Sequence, residues 1–171
     1  MVIRVYPKPY AEGGLTPLSD GAGEVVELGE DVTQFKIGDQ VCSTFQPDWI
    51  SGTPKDEYLP SVFGGASHGM HCQFKVMEER ALMKFPDHLS FEEAATLPCA
   101  ALNAWHALMH NEIRPVGAGQ TVLILGTGGV SSFGIQSAAA ARVICISSSD
   151  KKLEREKILS ITRKIQTGKN K

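Results

Sequence analysis

The sequence contains no run of about eighteen apolar residues and opens on no apolar stretch, which argues against a helical membrane span and a secretory leader. An intracellular, cytoplasmic protein is therefore expected. Cysteine is sparse and unpaired. Cys42, Cys72, Cys99 and Cys145 stand far apart with no CxxC pair, a pattern that suits reduced core thiols better than a disulfide framework or a structural zinc lobe. Aromatic residues are missing from the basic carboxyl-terminal end. From Lys151 to Lys171, eight Lys or Arg stand against two Glu, so this end carries +6 and the remainder −8 for a net charge of −2. With no aromatic residue among those charges for a base to stack on, the end reads as a solvated helix face and no nucleic-acid partner is expected.

What is present is the makeup of a folded chain. Hydrophobic residues are 42% and charged residues 21% of 171, enough apolar surface for one sizeable core or two small ones.

The first ninety or so residues alternate short strand-like runs with turns. "GEVVELGEDVTQFKIGDQVCSTF" predicts a strand over Glu24 to Leu28, a polar turn, and a second strand over Gln40 to Phe45 opened by Gly38-Asp39. Residues 46 to 70 are rich in Gly, Pro and Ser and predict a long surface loop. "HCQFKVM" and "ALMKFP" restore strand character. Ser90 followed by Glu93 forms a capping box that starts a helix, Pro98 interrupts it, and "CAALNAWHALMH" continues as a second helix with Leu102, Trp105, His106 and Met109 on one face.

The pattern changes at "RPVGAGQTVLILGTGGVSSFGIQSAAAARVICISSSDKKLEREK". An apolar strand, Thr121 to Leu125, runs into a glycine-rich turn, an Ala-rich helix follows, a second strand spans Arg142 to Ile146, and a charged helix begins near Asp150. Strand, helix, strand is the crossover unit of a parallel sheet. Gly126 permits a tight exit from the strand, and Gly128 lets backbone approach a pyrophosphate. Thr127, Gly129 and Val130 complete the turn and the helix start, whose amides and dipole suit an anion. The third fingerprint position is Ser131 instead of Gly or Ala. At the end of the second strand, where a ribose-reading residue belongs, stands "SSSD". Ser148, with Lys151 and Lys152 beyond it, favours the extra phosphate of NADP over NAD, while Asp150 is the carboxylate that would reverse this preference.

In this order and spacing, "PLSDGAGEVVELGEDVTQFKIGDQV", "FPDHLSFEEAATLPCAALNAWHAL" and "VLILGTGGVSSFGIQ" resemble the medium-chain dehydrogenase/reductase superfamily, nearest its zinc-free alcohol-dehydrogenase-like and quinone-reductase-like members. The resemblance covers residues 15 to 157. It implies an α/β plus β architecture: a partial GroES-like β-barrel catalytic domain over 1–97, then a linker helix and a partial Rossmann domain over 98–171. It also implies hydride transfer between NAD(P)H and a small carbonyl, alcohol, enone or quinone. Zinc-dependent relatives place a His-Glu pair where Ser19 and Asp20 stand, and although Cys99 falls at another ligand position, one thiolate cannot hold a catalytic zinc; no metal is expected. By the same matching Asn103 lies near the nicotinamide, in a positioning role. His68 and His71 are read as surface-loop residues. Tyr6, Tyr10 and His106 have the chemistry of a general acid, but packing or surface roles suit each better, and no catalytic residue is assigned.

The chain departs from its relatives in three places. It starts near their third strand, it lacks their later Rossmann strands, and "GIQSAAAAR" is a little short for the crossover helix, with no Gly or Asn to close it, which predicts a strained phosphate site. An internal piece of such an enzyme, from truncation or a mis-joined reading frame, is expected to depart in this way. The alternative to an NADP-linked enzyme is an inactive fragment, a weak dinucleotide- or partner-binding module that forms homo-oligomers or pairs with a full-length relative through an exposed sheet edge.

Overall fold

The computed structural model describes residues 14–110 and 114–156, with the backbone alone of 163–166. The chain divides into two compact units, Met1–Cys99 and Ala100–Lys171.

The first unit is built on an open antiparallel sheet of three short strands, β1 (Ala22–Glu24), β2 (Gln40–Ser43) and β3 (Leu82–Lys84). β2 is central, pairing Ala22 with Cys42 on one side and Cys42 with Met83 on the other. The sheet is GroES-like in pattern but does not close into a barrel among the described residues. The strand expected over Glu24 to Leu28 ends at Glu24. Val25 still donates to the Asp39 carbonyl (2.9 Å) and accepts from Gly38 (2.8 Å), where Gly38 takes the left-handed conformation at φ 89°. Beyond that turn no strand lies opposite, and Val26 and Leu28 are exposed. The second predicted strand is likewise shorter, ending at Ser43 instead of Phe45. "HCQFKVM" is not a ladder strand: Phe74 and Val76 face solvent, and the Lys75 ammonium bonds the carbonyls of His68 (2.6 Å) and Gly69 (3.3 Å) instead.

The 46 to 70 stretch is mostly loop but carries a 3-10 helix, Asp56–Ser61. Its last residues lie directly against the 16–18 segment, through Gly69 N–H to Thr16 O and Met70 N–H to Leu18 O, both 2.8 Å. A Cβ on Gly69 would overlap the Leu18 carbonyl, so only glycine allows this approach. The capping box forms as read: Glu93 N–H donates to Ser90 Oγ (3.2 Å) and Ser90 N–H to the Glu93 carboxylate (2.9 Å), opening α1 (Phe91–Ala94). The core of this unit is small, Cys42, Phe85 and Ala94 with Ala22 and Leu89 against them.

Pro98 lies inside a single π-helical turn, Leu97–Ala101, because its ring removes an amide donor and crowds the preceding turn. The second helix, α2 (Leu102–Met109), therefore begins later than predicted. Its expected apolar face is turned outward: Leu102 and Trp105 are exposed, while Ala104 is buried and Leu108 packs on the core.

The second unit follows the predicted strand, turn and helix order closely. β4 (Thr121–Leu125), α3 (Gly129–Ser137), β5 (Arg142–Ser147) and α4 (Asp150–Glu156) are followed by β6 (Arg163–Gln166). The sheet is parallel in the order β4-β5-β6, so a third strand is present where the sequence led us to expect none. It arises from "RKIQ", whose Lys and Arg mask a strand in a stretch that reads as basic tail. Building outward from the first strand in this way is the order of half a doubly wound dinucleotide-binding sheet. One face is covered: Val143 and Cys145 of β5, Ile135 and Ala138 from α3 and its end, and Leu153 of α4 form the core, with Val122 and Ile124 against it. On the opposite face Leu123 and Leu125 are 54% and 71% exposed. α3 is short, as predicted, and closes without glycine through the Ala138 N–H, which bonds the Gly134 and Gln136 carbonyls.

Candidate functional site

A parallel sheet presents ligands at the carboxyl ends of its strands, because there the loops leave the sheet and the following helices point their amides outward. Leu125 pairs with Ile146 and Ser147 with Gln166, so the three strands end together. The glycine turn and the 147–150 segment leave this one edge.

Gly126 continues the ladder, its N–H donating to the Ile146 carbonyl at 2.8 Å, and then turns the chain at φ 88°. Among the described residues of the turn no non-glycine residue takes a positive φ. Gly128 is the N-cap of α3, and it brings no side-chain oxygen to the first amides. Those amides have no carbonyl partner within the helix, and a Cβ placed on Gly126 or Gly128 would meet nothing within 4 Å. Open space, bare backbone and uncapped amides are what a pyrophosphate needs, and the residues present fit a dinucleotide.

Two features of the fingerprint depart from expectation. Ser131 spends its hydroxyl on the Leu125 carbonyl (3.3 Å), tying helix to strand. Close packing of helix on strand falls instead to Gly134, where a Cβ would come within 3.2 Å of Ile124 Cδ1. The glycine was visible in the sequence, but its role depends on which turn of α3 crosses β4.

Ser147 was not singled out by sequence reasoning. It is buried at the end of β5, accepts from the Ser149 N–H (3.2 Å), and has its Oγ 3.5 Å from that of Thr127. This contact joins the glycine turn to the strand end. Ser148, next in the chain, is exposed at the position predicted for ribose reading, with Asp150, Lys151 and Lys152 exposed beyond it. Ser149 Oγ accepts from the Lys152 N–H (3.4 Å) and so caps α4. Asn103 lies exposed on α2, which packs against α3.

Glu156 was also missed. It was read as part of a solvated helix face, yet it is 4% exposed. Its spacing of three from Leu153 was the available signal. One carboxylate oxygen accepts from Ser132 Oγ at 3.0 Å and the other is buried with no partner among the described residues. Cys145, 3.5 Å from the Gly126 carbonyl, has its thiol pushed up by burial and further by the Glu156 charge.

In the first unit, Ser19 donates to Asp20 at 2.6 Å, and the other Asp20 oxygen is buried without a partner among the described residues. Leu18 before them takes φ 72°, a strained conformation for a branched residue. Burial raises the Cys42 thiol, with Asp20 adding to the shift. His68 and His71 are exposed, and His68 Nδ1 accepts from the Thr16 N–H at 3.2 Å. Cys42 and Cys145 are core residues as expected, whereas Cys72 is exposed and Cys99 half-buried. His106 is exposed and stacks on His110, while Tyr6 and Tyr10 lie outside the described residues. Among the described residues no group of three or more His, Cys, Asp or Glu could hold a metal ion. No described helix is long and apolar enough to cross a membrane.

A GroES-like sheet followed by a parallel unit with a glycine turn defines the class: two-domain dehydrogenases and reductases that use a dinucleotide. Residues 2–87 match the alcohol dehydrogenase GroES-like domain family, and the chain belongs to the medium-chain dehydrogenase/reductase superfamily. It is 44% identical over 167 residues to a zinc-type alcohol dehydrogenase-like protein of Schizosaccharomyces pombe, covering 96% of this chain and 48% of that protein. A solved putative alcohol dehydrogenase from Sinorhizobium meliloti 1021 superposes with a TM-score of 0.81 at 39% identity, over 88% of this chain and 45% of that one. A quinone oxidoreductase from Pseudomonas syringae pv. tomato gives 0.69 at 30% identity, over 95% and 43%. The chain thus spans about half the length of the relatives it matches.

Proposed function

We propose that this chain carries the dinucleotide-binding turn and part of the catalytic domain of a zinc-independent, NAD(P)-linked oxidoreductase acting on a small carbonyl, alcohol, enone or quinone. The observation that carries the reading is the uncapped, glycine-lined start of α3 at the carboxyl edge of a parallel sheet. In this reading residues 98–171 bind the cofactor and 1–97 contribute to the substrate side. The α3 amides and the turn Gly126, Thr127, Gly128, Gly129 and Val130 hold the pyrophosphate. Ser148 and Lys152 receive the adenosine ribose and its phosphate, which favours NADP, and Asn103 positions the nicotinamide end. The bound nicotinamide supplies or accepts the hydride. The chain's residues contribute orientation, holding reactants in a near-attack geometry.

A second reading, a binding module without catalysis that forms homo-oligomers or pairs with a full-length relative, is favoured by the apolar face at Leu123 and Leu125 and the unpaired edge of β4. The test is titration of the purified chain with NADPH and NADH by cofactor fluorescence, beside a thermal melt and an assay of NADPH oxidation with aldehydes, enones and quinones. Saturable binding, tighter for NADPH, with a raised melting temperature and turnover supports the enzyme. Binding without turnover supports the module, and the absence of binding overturns both dinucleotide readings.

A further inference from the structure

We infer that Glu156 is a built-in anion beneath the glycine turn that restrains binding of phosphate-bearing ligands there. This rests on the dinucleotide reading above. The carboxylate is almost fully buried, one oxygen accepts from Ser132 (3.0 Å), and the other has no partner among the described residues. Ser132 Oγ is also 3.1 Å from the carbonyl of Gly128, the N-cap of α3. A hydroxyl has one proton, so Ser132 cannot donate to Glu156 and to Gly128 at full strength together. The same geometry places the carboxylate within two hydrogen-bond lengths of the helix start.

The electrostatics follow from that placement. A negative charge near a helix amino terminus is favourable, because it opposes the partial positive charge of the unpaired amides. Glu156 therefore already provides part of what an incoming phosphate would provide. A phosphate arriving on the other side of those amides meets both a weakened dipole and a like charge, across an interior that screens poorly. Among the described residues little nearby relieves this. α3 and β4 carry no charged side chain, and the Cys145 thiol of β5 is raised chiefly by burial and in part by that charge. On α4 itself Lys151, Lys152, Glu154 and Arg155 are exposed, and among the described residues no cation forms an ion pair with Glu156.

The experiment compares the full chain with E156Q, E156A and S132A, titrating NADPH and NADH by fluorescence and adenosine by competition, each beside a thermal melt. E156Q and E156A are expected to bind both dinucleotides about tenfold more tightly, with adenosine, which carries no phosphate, unchanged. S132A keeps the charge and gains nothing. Should E156Q fail to fold, E156A carries the test. Failure of both to melt cooperatively assigns the carboxylate to the stability of the fold and overturns the inference. Wild-type affinity in both folded variants overturns it while leaving the dinucleotide reading intact. An equal gain for adenosine assigns the effect to packing and also overturns it. No saturable dinucleotide binding by any of the proteins removes the reading and the inference together.

Discussion

The two units differ in what fills their interiors. In the parallel unit Ile135, Leu153, Val143 and Cys145 are fully buried, and strands of five and six residues pair over their length. The antiparallel unit has strands of three or four residues, and its comparably buried side chains are small ones, Cys42, Ser43, Ala81 and Ala94. Its loops are held instead by polar ties: the Glu79 carboxylate accepts from the backbone of Thr33 (2.9 Å) and Gln34 (3.0 Å), Lys84 pairs with Asp39 (2.7 Å), and Arg80 with Asp48 (2.9 Å). The comparison teaches that a crossover unit makes a core from local sequence, whereas a loop-rich antiparallel sheet depends on side chains reaching backbone far along the chain.

The sharpest way to break this contrast is to remove the principal aromatic of the small core. Phe85→Ala deletes a side chain that packs edge-on against Phe91 at 5.8 Å and seals Cys42 and Ala94. A loss of about 3–5 kcal/mol is expected in denaturant unfolding, confined to the first of two transitions if the units melt separately. Ile135→Ala should cost about 2–5 kcal/mol in the other transition. As its control, Leu125→Asn, on the open face, should stay within about 0.5 kcal/mol. A large effect of Leu125→Asn would mean that this face is covered in solution.

Smaller effects sharpen the picture of the polar ties. Ser90→Ala removes the cap of α1 and should cost about 1 kcal/mol by the same unfolding measurement. Least of all is the acid dependence. The Asp39 carboxyl is held below its ordinary value, chiefly by the Lys84 hydrogen bond and then by the Lys36 N–H. A lowered folded value gives stability that is fully present above the unfolded value of about 3.9 and lost as pH falls through the folded one. Lys84→Met should lower the melting temperature slightly at about pH 6 and flatten its fall below about pH 4. An unchanged acid limb in that variant would show that the pair contributes nothing.

The legible parts of the molecule are those with short-range rules. The capping box at Ser90, the limits of β4 and the start of α4 were read correctly because each is set by residues a few positions apart. The strand expected at residues 71–77 failed for the opposite reason: alternation marks a chain able to pair, and pairing requires a neighbour, which no described strand supplies. The outward turn of Leu102 and Trp105 was not legible, since spacing groups residues on a face without saying which face is covered. β6 was hidden because a basic composition masked a strand whose partner is β5.

For the candidate site, sequence alone determined the glycine turn, its place between strand and helix, and the serine-rich end of the second strand. These are local, because backbone freedom at Gly126 and Gly128 belongs to the residues themselves. Only the tertiary structure decided that Thr127 meets Ser147, that Gly134 provides the close approach expected of Ser131, and that Glu156 lies buried against Ser132. Burial and the proximity of side chains twenty or more residues apart depend on how α3 and α4 pack on β5, and no spacing along the chain states that distance.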